Sequence, residues 1–329
     1  MTFLKKIKIL NGRTTPKLFT KIFTFFRKSG NIKEKLEIIK KMSNKKNIIN
    51  NIRNIHIFLR KNLKKIKKVN NEISLAGVGG DKKNTANITS ITTIFLGLLN
   101  FRTTKINSNS YTSKVGSSNF LKMVFSKKIF KDKKTNCNIR KNLNCFFYNY
   151  NIILKKKILD FSKIRNLYGK TNLFNYAFSS FLPFKTEIFS LGTNNIKTLK
   201  FFKNIKFKSK KVIIFSSYKN IDEITLDKFK LLLKINGETK TFVFDPLRLG
   251  FKKKSGSIYI KRKKDSISSL MEMFKKKNKI LLEVVLLNIS IILFIKTGRN
   301  IRYIYNILRK IKLSFLKKKL DKIIDIVRC

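Results

Sequence analysis

From residue 210 to its end, the chain alternates short apolar runs with segments of helical periodicity, and this order is the strongest constraint on its fold. The run "KVIIF" is rich in β-branched residues and predicts a buried strand that ends at Ser216. Residues 229–244, "FKLLLKINGETKTFVF", predict two strands around Asn236-Gly237, because this dipeptide suits the tight turn of a β-hairpin. A strand followed by a hairpin therefore opens this part of the chain.

The remainder of this part predicts two helices and two further strands. Apolar residues recur on one face of a helix over residues 267–274 and again over residues 301–315. The continuous apolar run at residues 289–295 predicts a central strand covered on both faces, and residues 322–327 predict a last short strand. The order β, β-hairpin, α, β, α, β predicts a compact α/β domain at residues 210–329, with a mixed sheet and two helices.

Residues 1–209 are basic, and they predict a long N-terminal extension of helices and irregular segments. The whole chain carries 76 Lys and Arg residues against 17 Asp and Glu residues, a net charge of +59. A free globular protein with this charge would repel itself, whereas a chain that neutralises nucleic-acid phosphates would not. The abundance of Lys, Asn, Ile and Phe, whose codons are rich in A and T, favours an organellar gene.

Short motifs in the C-terminal part follow the order found in a ribosomal protein family. They are Ser216-Ser217-Tyr218-Lys219-Asn220 after the first strand, Gly250-Phe251-Lys252-Lys253-Lys254 after the hairpin, Lys296-Thr297-Gly298-Arg299 before Ile301-Arg302, and the terminal Cys329. With these motifs the C-terminal third resembles the universal small-subunit ribosomal protein numbered eleven, a platform protein. It departs from that family in its single asparagine after the first strand, its single loop glycine and its shortened tail.

The resemblance implies a structural constituent of the small subunit of a mitochondrial ribosome, without enzymatic activity. Its partners would be ribosomal RNA and neighbouring small-subunit proteins, and it would have no cofactor and no small-molecule substrate. The expected location is the mitochondrial matrix. Residues 245–264 and the predicted helix after them can also be fitted to the tenth small-subunit protein, an alternative with the same biochemical role.

The candidate RNA-binding residues lie in basic segments of the C-terminal part. They are Phe251, Lys252, Lys253, Lys254, Lys261, Arg262, Lys263, Lys264, Lys296, Arg299 and Arg302. Arg299 follows a glycine at a predicted strand-to-helix junction, where helix N–H groups and a guanidinium favour a phosphate. Phe251 either stacks on an unpaired base or packs under its own loop, and the basic runs either contact RNA or are merely solvated.

One glycine-rich segment and one histidine are candidates for other chemistry. The segment "LAGVGGDKKNT", residues 75–85, is similar to a phosphate loop but departs from the Walker pattern, because Asp81 follows Gly80. No strand clearly precedes it, so a flexible loop is predicted. With three cysteines and one histidine, His56, the chain has no Cys/His set at a usable spacing, and no metal site is expected. His56 lies among apolar helical positions, which predicts a core residue or an RNA-stacking residue.

Two other classes of function stay open. A nuclease or a similar enzyme needs clustered carboxylates to hold metal ions, and the acidic cluster Asp222, Glu223 and Asp227 lies in an apparent insertion without a second cluster beside it. A subunit of an inner-membrane complex would need residues 280–295 to span the bilayer. That stretch is shorter than the roughly 18–20 residues required and contains Glu283, so a helix end and a strand are predicted there, with no membrane span.

Overall fold

A seven-stranded β-sheet forms the centre of the molecule. The computed structural model describes residues 12–28, 31–64, 72–80, 83–107, 116–130, 132–155, 171–252, 255–262 and 264–328. The strands are β1 (Ile73–Gly77), β2 (Thr103–Asn107), β3 (Cys145–Asn149), β4 (Thr186–Gly192), β5 (Ser209–Ser217), β6 (Phe229–Ile235) and β7 (Glu238–Phe244). Their order is β3-β2-β1-β4-β5-β6-β7, in which β1 to β5 are parallel and β6 and β7 are antiparallel.

Helices cover both faces of this sheet. They are α1 (Pro16–Lys28), α2 (Ile32–Met42), α3 (Ile48–Lys61), α4 (Ile88–Leu98), α5 (Ser117–Val124), α6 (Lys133–Leu143), α7 (Tyr150–Ile153), α8 (Leu173–Ser179), α9 (Leu199–Lys203), α10 (Asp265–Phe274), α11 (Lys279–Thr297), α12 (Ile301–Arg309) and α13 (Leu313–Arg328). Short 3-10 turns lie at Ile196–Thr198 and Pro246–Leu249.

Alternation of side chains along the strands produces a separate core on each face of the sheet. On β5, Ile213 and Phe215 pack in one core while Val212 and Ile214 pack in the other, since successive side chains of a strand point to opposite faces. The first core includes apolar residues of α4, α10, α11, α12 and α13, and the second includes those of α1, α2, α3, α8 and α9. The parallel strands are therefore covered on both faces, as in other α/β folds.

The mixed α/β class is confirmed, and β5, the β6–β7 hairpin and α10 lie where the sequence predicts them. At the hairpin turn, Asn236 and Gly237 have φ values of 51° and 86°, as a two-residue turn with two left-handed positions requires. These elements carry strong local signals, namely a β-branched run, a turn dipeptide and a helical period.

Two predicted strands are wrong, because residues 289–295 lie in α11 and residues 322–327 lie in α13. A continuous apolar run does not distinguish a central strand from a helix that is buried on all sides. Helix α11 follows Asn278, whose side chain accepts the N–H of Leu281, and ends before Gly298, which has a φ of 73°. Asn278 and Gly298 are therefore ordinary signals for the start and the end of a helix, and both lie outside the apolar run.

The compact C-terminal domain is not confirmed. Strand β5, which begins at Ser209, pairs in parallel with β4, so the sheet continues through residue 210 without interruption. The segment predicted to be a basic extension contains β1 to β4, which lie on one side of β5 in the sheet. The C-terminal helices α11 and α13 in turn pack on α4, which lies in that same segment.

Helix α11 is the one helix in the described ranges that is long and apolar enough to span a membrane. Most of it is buried inside the protein, where two of its polar side chains find partners. Asn288 Nδ2 donates to the carbonyl oxygen of Ile224 at 3.2 Å, and Glu283 Oε2 accepts the hydroxyl of Tyr305. These contacts are typical of the core helix of a folded domain.

We expect Tyr305→Phe to destabilise the protein, because it removes the hydroxyl donor from a carboxylate in the core. Both Tyr305 and Glu283 are almost fully buried. The free energy of unfolding should fall by about 1–3 kcal/mol, the usual cost of depriving a buried polar group of a partner. Tyr303→Phe is the matched control, since Tyr303 lies on the same helix and is 53% exposed. Equal losses for both variants in urea denaturation would contradict the assignment.

We expect His56 to make the protein less stable as the pH falls from 6.5 to 4. Its Nε2 lies 2.9 Å from the carbonyl oxygen of Ala177, and burial lowers its pKa from 6.5 to about 4. Within this window the unfolded chain binds a proton that the folded chain does not bind, so lowering the pH favours unfolding, by at most about 3 kcal/mol.

Since His56 is the single histidine of the chain, the variant His56→Gln isolates its titration. Urea denaturation of both proteins at pH 7 and pH 4.5 gives two losses of stability, and carboxylates common to both proteins cancel in their difference. The wild type should lose more stability than the variant. An equal loss would show that His56 is not held neutral in the fold.

Candidate active site at the carboxyl ends of the parallel strands

The parallel strands place several loops at one edge of the sheet. Strand β1 has β2 on one side and β4 on the other. After β1 the chain adds β2 and β3 on one side of it, and it then adds β4 and β5 on the opposite side. In open α/β sheets a crevice forms at this switch of direction, outside the carboxyl ends of the strands. The loops after β1, β4 and β5 meet at this position.

A glycine-rich loop connects β1 to α4. Gly79 and Gly80 have φ values of 68° and 82°, which residues with a side chain rarely adopt. Gly77 has no room for a side chain, because a Cβ there would lie 2.6 Å from Asp222 Oδ2. Gly77 thus lets the backbone approach the loop that follows β5, and Gly79 and Gly80 permit the left-handed turn after it.

Two carboxylates of the loop after β5 are bound to this glycine-rich loop and to the start of α4. The N–H of Gly79 donates to Asp222 Oδ2 at 2.6 Å, and the N–H of Thr89 donates to Glu223 Oε1 at 3.4 Å. Asp222 and Glu223 are both more than nine-tenths buried. Backbone N–H groups and the positive end of a helix dipole stabilise such buried negative charges.

A buried lysine compensates part of this negative charge. Lys105 lies on β2, is 3% exposed, and donates from Nζ to Thr89 Oγ1 at 2.7 Å. Burial lowers the pKa of Lys105, while the Glu223 and Asp222 carboxylates raise it. One ammonium and two carboxylates therefore surround the first turn of α4.

The rest of the loop is fixed by side chains from two other segments. Thr171 Oγ1 donates to the carbonyl oxygen of Gly80 at 3.1 Å, and Asn194 Nδ2 donates to Thr171 Oγ1 at 2.7 Å. Farther along, the N–H of Ala86 donates to the carbonyl oxygen of Ile258 at 2.8 Å. The described residues of this loop therefore make contacts at several points.

This arrangement suits an anionic ligand together with a cation. The first turn of α4 and Lys105 favour phosphate oxygens. Ser90 Oγ in that turn is buried and has no hydrogen-bond partner among the described residues. The described ranges contain no group of three His, Cys, Asp or Glu residues for a metal, but Mg²⁺ commonly uses one or two carboxylates together with substrate phosphates. Asp222 and Glu223 fit that donor set.

A small apolar cavity lies on the other side of Gly77. Its walls include Tyr150, Phe178, Phe181 and Phe189, and its volume is about 20 Å³, room for about one water molecule. The Tyr150 hydroxyl donates to the carbonyl oxygen of Phe178. Gly77 thus separates a charged region from an aromatic one.

The candidate RNA-binding residues lie elsewhere, between the hairpin and the start of α12. Phe251 is buried, with its ring centroid 4.0 Å from that of Tyr305. Lys296 Nζ forms an ion pair with Glu187 at 2.5 Å, and Arg302 lies beside Gly250. The positions of the other candidates are as follows: Lys252, Lys261, Arg262, Lys264 and Arg299 lie in or next to loops, while Lys253, Lys254 and Lys263 lie outside the described residues.

The sequence singles out the glycine-rich segment and the pair Asp222 and Glu223, but it predicts a flexible loop and an insertion there, and it does not indicate Lys105. No strand is recognisable in the sequence before the glycine-rich segment, but β1 ends at Gly77. Asp222 and Glu223 lack a second acidic cluster in the sequence, and their partners are instead backbone N–H groups and Lys105. A glycine-rich turn between an apolar strand and an apolar helix was the signal that could have identified the loop.

Comparisons with known proteins agree on one family. A model described as "Glycosyl transferase family, a/b domain" matches residues 70–301. Anthranilate phosphoribosyltransferase of Picrophilus torridus is 28% identical over 220 residues, and the match covers 65% of each chain. The matched part thus spans less than two thirds of that relative.

Solved structures with the same fold cover nearly the whole chain. Anthranilate phosphoribosyltransferase of Thermus thermophilus has a TM-score of 0.78 at 12% identity, with 100% of each chain covered. The Saccharomyces cerevisiae enzyme in complex with PRPP and Mg has a TM-score of 0.72 at 15% identity, covering 93% of this chain and 90% of that one. Its complex with 4-fluoroanthranilate has a TM-score of 0.73 at 15% identity, covering 95% and 92%.

These findings correct the functional predictions. The ribosomal resemblance, the role in translation, the RNA and ribosomal partners and the absence of enzymatic activity are wrong, because a transferase family matches most of the chain, including most of the stretch used for that resemblance. The mitochondrial location stays a prediction. The match over residues 70–301 includes the glycine-rich loop, Lys105 and both carboxylates of the site. The chain belongs to the glycosyl transferase family, a/b domain.

Proposed function

We propose that this chain is a phosphoribosyltransferase that transfers the phosphoribosyl group of PRPP to anthranilate. The relatives named above carry this activity in their names, and yeast complexes contain PRPP, Mg and a fluorinated anthranilate. The observation that carries the proposal is the position of Gly77, which borders both the buried Asp222 carboxylate and the aromatic cavity. A donor with several phosphates and an aromatic acceptor would meet there.

The charged side of Gly77 suits the donor. PRPP, a ribose with a phosphate and a pyrophosphate, presents anionic oxygens to the first turn of α4, which is the positive end of a helix dipole and has Lys105 close by. Asp222 and Glu223 would hold Mg²⁺ through their carboxylate oxygens. When bound, Mg²⁺ would neutralise charge on the pyrophosphate as it leaves.

The reaction requires positioning more than it requires a reactive side chain. The bond between ribose C1 and the pyrophosphate oxygen breaks, a bond between C1 and the anthranilate nitrogen forms, and that nitrogen loses a proton. The chain would contribute by holding the donor and the acceptor on the two sides of Gly77. The reacting atoms would then be oriented toward each other and would not depend on a random encounter in solution. Burial of the site keeps water from competing with the amine for C1.

The aromatic side of Gly77 suits the acceptor. Phe178, Phe181 and Phe189 provide ring faces and edges for an aromatic acid, and Ile106 of β2 adds an aliphatic wall. The amine of such an acceptor would then face Gly77 and the donor.

We expect the purified chain to consume anthranilate when PRPP and Mg²⁺ are both present, followed as the loss of anthranilate fluorescence. Asp222→Asn should lower kcat/KM by about 100-fold, because one of two carboxylates for the cation loses its charge. Asp227→Asn is the matched control. Asp227 belongs to the same acidic stretch but pairs with the exposed Lys219 at 3.0 Å, and its removal should change kcat/KM less than about twofold.

Two results would overturn the proposal. One is a folded wild-type protein that leaves anthranilate unchanged with PRPP and Mg²⁺. The other is equal activity of Asp222→Asn and the wild type at every Mg²⁺ concentration. Mg²⁺ titration calorimetry with PRPP present adds a measurement that does not depend on turnover, and there Asp222→Asn should show weaker binding than Asp227→Asn.

A further inference from the structure

Two side chains that the proposed function leaves without a role contact the carbonyl groups of the glycine-rich loop. Thr171 Oγ1 lies 3.2 Å from the carbonyl oxygen of Gly79 and 3.1 Å from that of Gly80. Asn194 Nδ2 donates to Thr171 Oγ1 at 2.7 Å and lies 3.4 Å from the carbonyl oxygen of Gly79. We call this pair of side chains the Thr171–Asn194 clamp.

The Thr171 hydroxyl is the central atom group of the clamp. A hydroxyl has one hydrogen to donate and two lone pairs with which to accept. Thr171 thus donates to the loop and accepts from Asn194 through the same oxygen atom. The loop leaves room for this oxygen, because a Cβ on Gly80 would lie only 2.5 Å from it. Removing the oxygen leaves only the 3.4 Å contact between Asn194 and Gly79.

The two clamp residues follow or precede elements that are anchored elsewhere. Thr171 precedes α8, whose N-cap residue Asn172 accepts the N–H of Phe174 at 2.9 Å. Asn194 comes after β4 and directly after Thr193, whose N–H donates to the carbonyl oxygen of Phe215 at 2.9 Å. Neither of these bonds involves the glycine-rich loop, so the clamp residues are held independently of the loop that they contact.

The N–H groups of the same loop make the contact with the carboxylate. A trans peptide is planar, so its C=O and N–H groups point in opposite directions, and fixing one group fixes the other. In the peptide before Gly79, Asn175 Nδ2 lies 3.4 Å from the carbonyl oxygen of Val78, while the N–H of Gly79 donates to Asp222 Oδ2 at 2.6 Å. Gly79 is therefore bound to Asp222 through its N–H and to the clamp through its C=O.

We infer that Thr171 and Asn194 are positioning residues for the phosphoribosyl donor, acting through Gly79 on the Asp222 carboxylate. This inference rests on the proposed function, which assigns Asp222 to Mg²⁺ and the donor. With the clamp in place, the Gly79 N–H orients the carboxylate before the cation arrives. Without it, more backbone conformations are open to the two glycines, and the cost of ordering the loop reduces the affinity for the cation and its phosphates.

The variants Thr171→Val and Thr171→Ser test this role. Valine has the shape of threonine without the hydroxyl, whereas serine keeps the hydroxyl. Calorimetric titration of Mg²⁺ with PRPP present should show about 10-fold weaker binding for Thr171→Val, the usual effect of losing a group that orients a metal ligand. Thr171→Ser should bind as the wild type does. Asn195→Ala is the control, since Asn195 is exposed and its side chain accepts the N–H of Lys197 at 2.8 Å.

Two further measurements separate positioning from a general effect on the fold. For Thr171→Val the KM for PRPP should rise about 10-fold, while the KM for anthranilate should change less than about twofold, because neither clamp residue lines the aromatic cavity. Amide hydrogen exchange without ligand should be faster in residues 74–80 of Thr171→Val than in the wild type, because the loop opens more often. Thermal unfolding of each variant verifies that the fold is retained.

The outcomes distinguish this inference from the proposed function. If the wild type binds Mg²⁺ with PRPP and Thr171→Val binds it equally well, the positioning role is wrong while the transferase proposal stands. The role is also wrong if Thr171→Ser or Asn195→Ala loses as much affinity as Thr171→Val, or if both KM values rise equally. If the wild type neither binds Mg²⁺ with PRPP nor consumes anthranilate, the proposed function is wrong, and the positioning of a donor is wrong with it.

Discussion

The contact between the loop after β5 and the start of α4 is the constraint on which the site depends. Asp222 and Glu223 are buried carboxylates, and such groups are costly unless donors and a counter-charge accompany them. Backbone N–H groups of Gly79 and Thr89 supply the donors, and Lys105 supplies the counter-charge. Because all of these groups are fixed by the fold, the charges are in place before a ligand arrives, which is how preorganised electrostatic sites work.

This site could not be assembled from the sequence, because its members are distant in the chain. Gly79 and Asp222, which share a hydrogen bond, are 143 residues apart. Only the parallel order of β2, β1, β4 and β5 brings their loops to one edge, and that order is set by pairings that no local pattern encodes. The glycine-rich loop had a local sequence signal, but that signal indicates a ligand-binding loop only after a strand. Because β1 was not predicted, the segment could not be identified as such a loop.

The fold was predictable where short-range signals were decisive. The Asn236-Gly237 turn and the β-branched run of β5 each specify their own geometry, so these elements were located correctly. Helix α11 was missed because a segment buried on all sides has no polar face, and without a polar face its period is hidden. Because α11 is apolar on all sides, its composition is also similar to that of a membrane-spanning helix.

The net charge is a poor guide to function for a different reason. A charge of +59 constrains solubility and electrostatic attraction, but it does not specify a fold. The chain packs two apolar cores, one on each face of the sheet, and aromatic pairs such as Phe19–Phe58, 5.2 Å apart, contribute to them. Excess lysine on the surface attracts any polyanion, a phosphorylated small molecule as much as a nucleic acid. Under the proposed function, discrimination between these partners depends on the buried charged groups at the start of α4 and not on the surface charge.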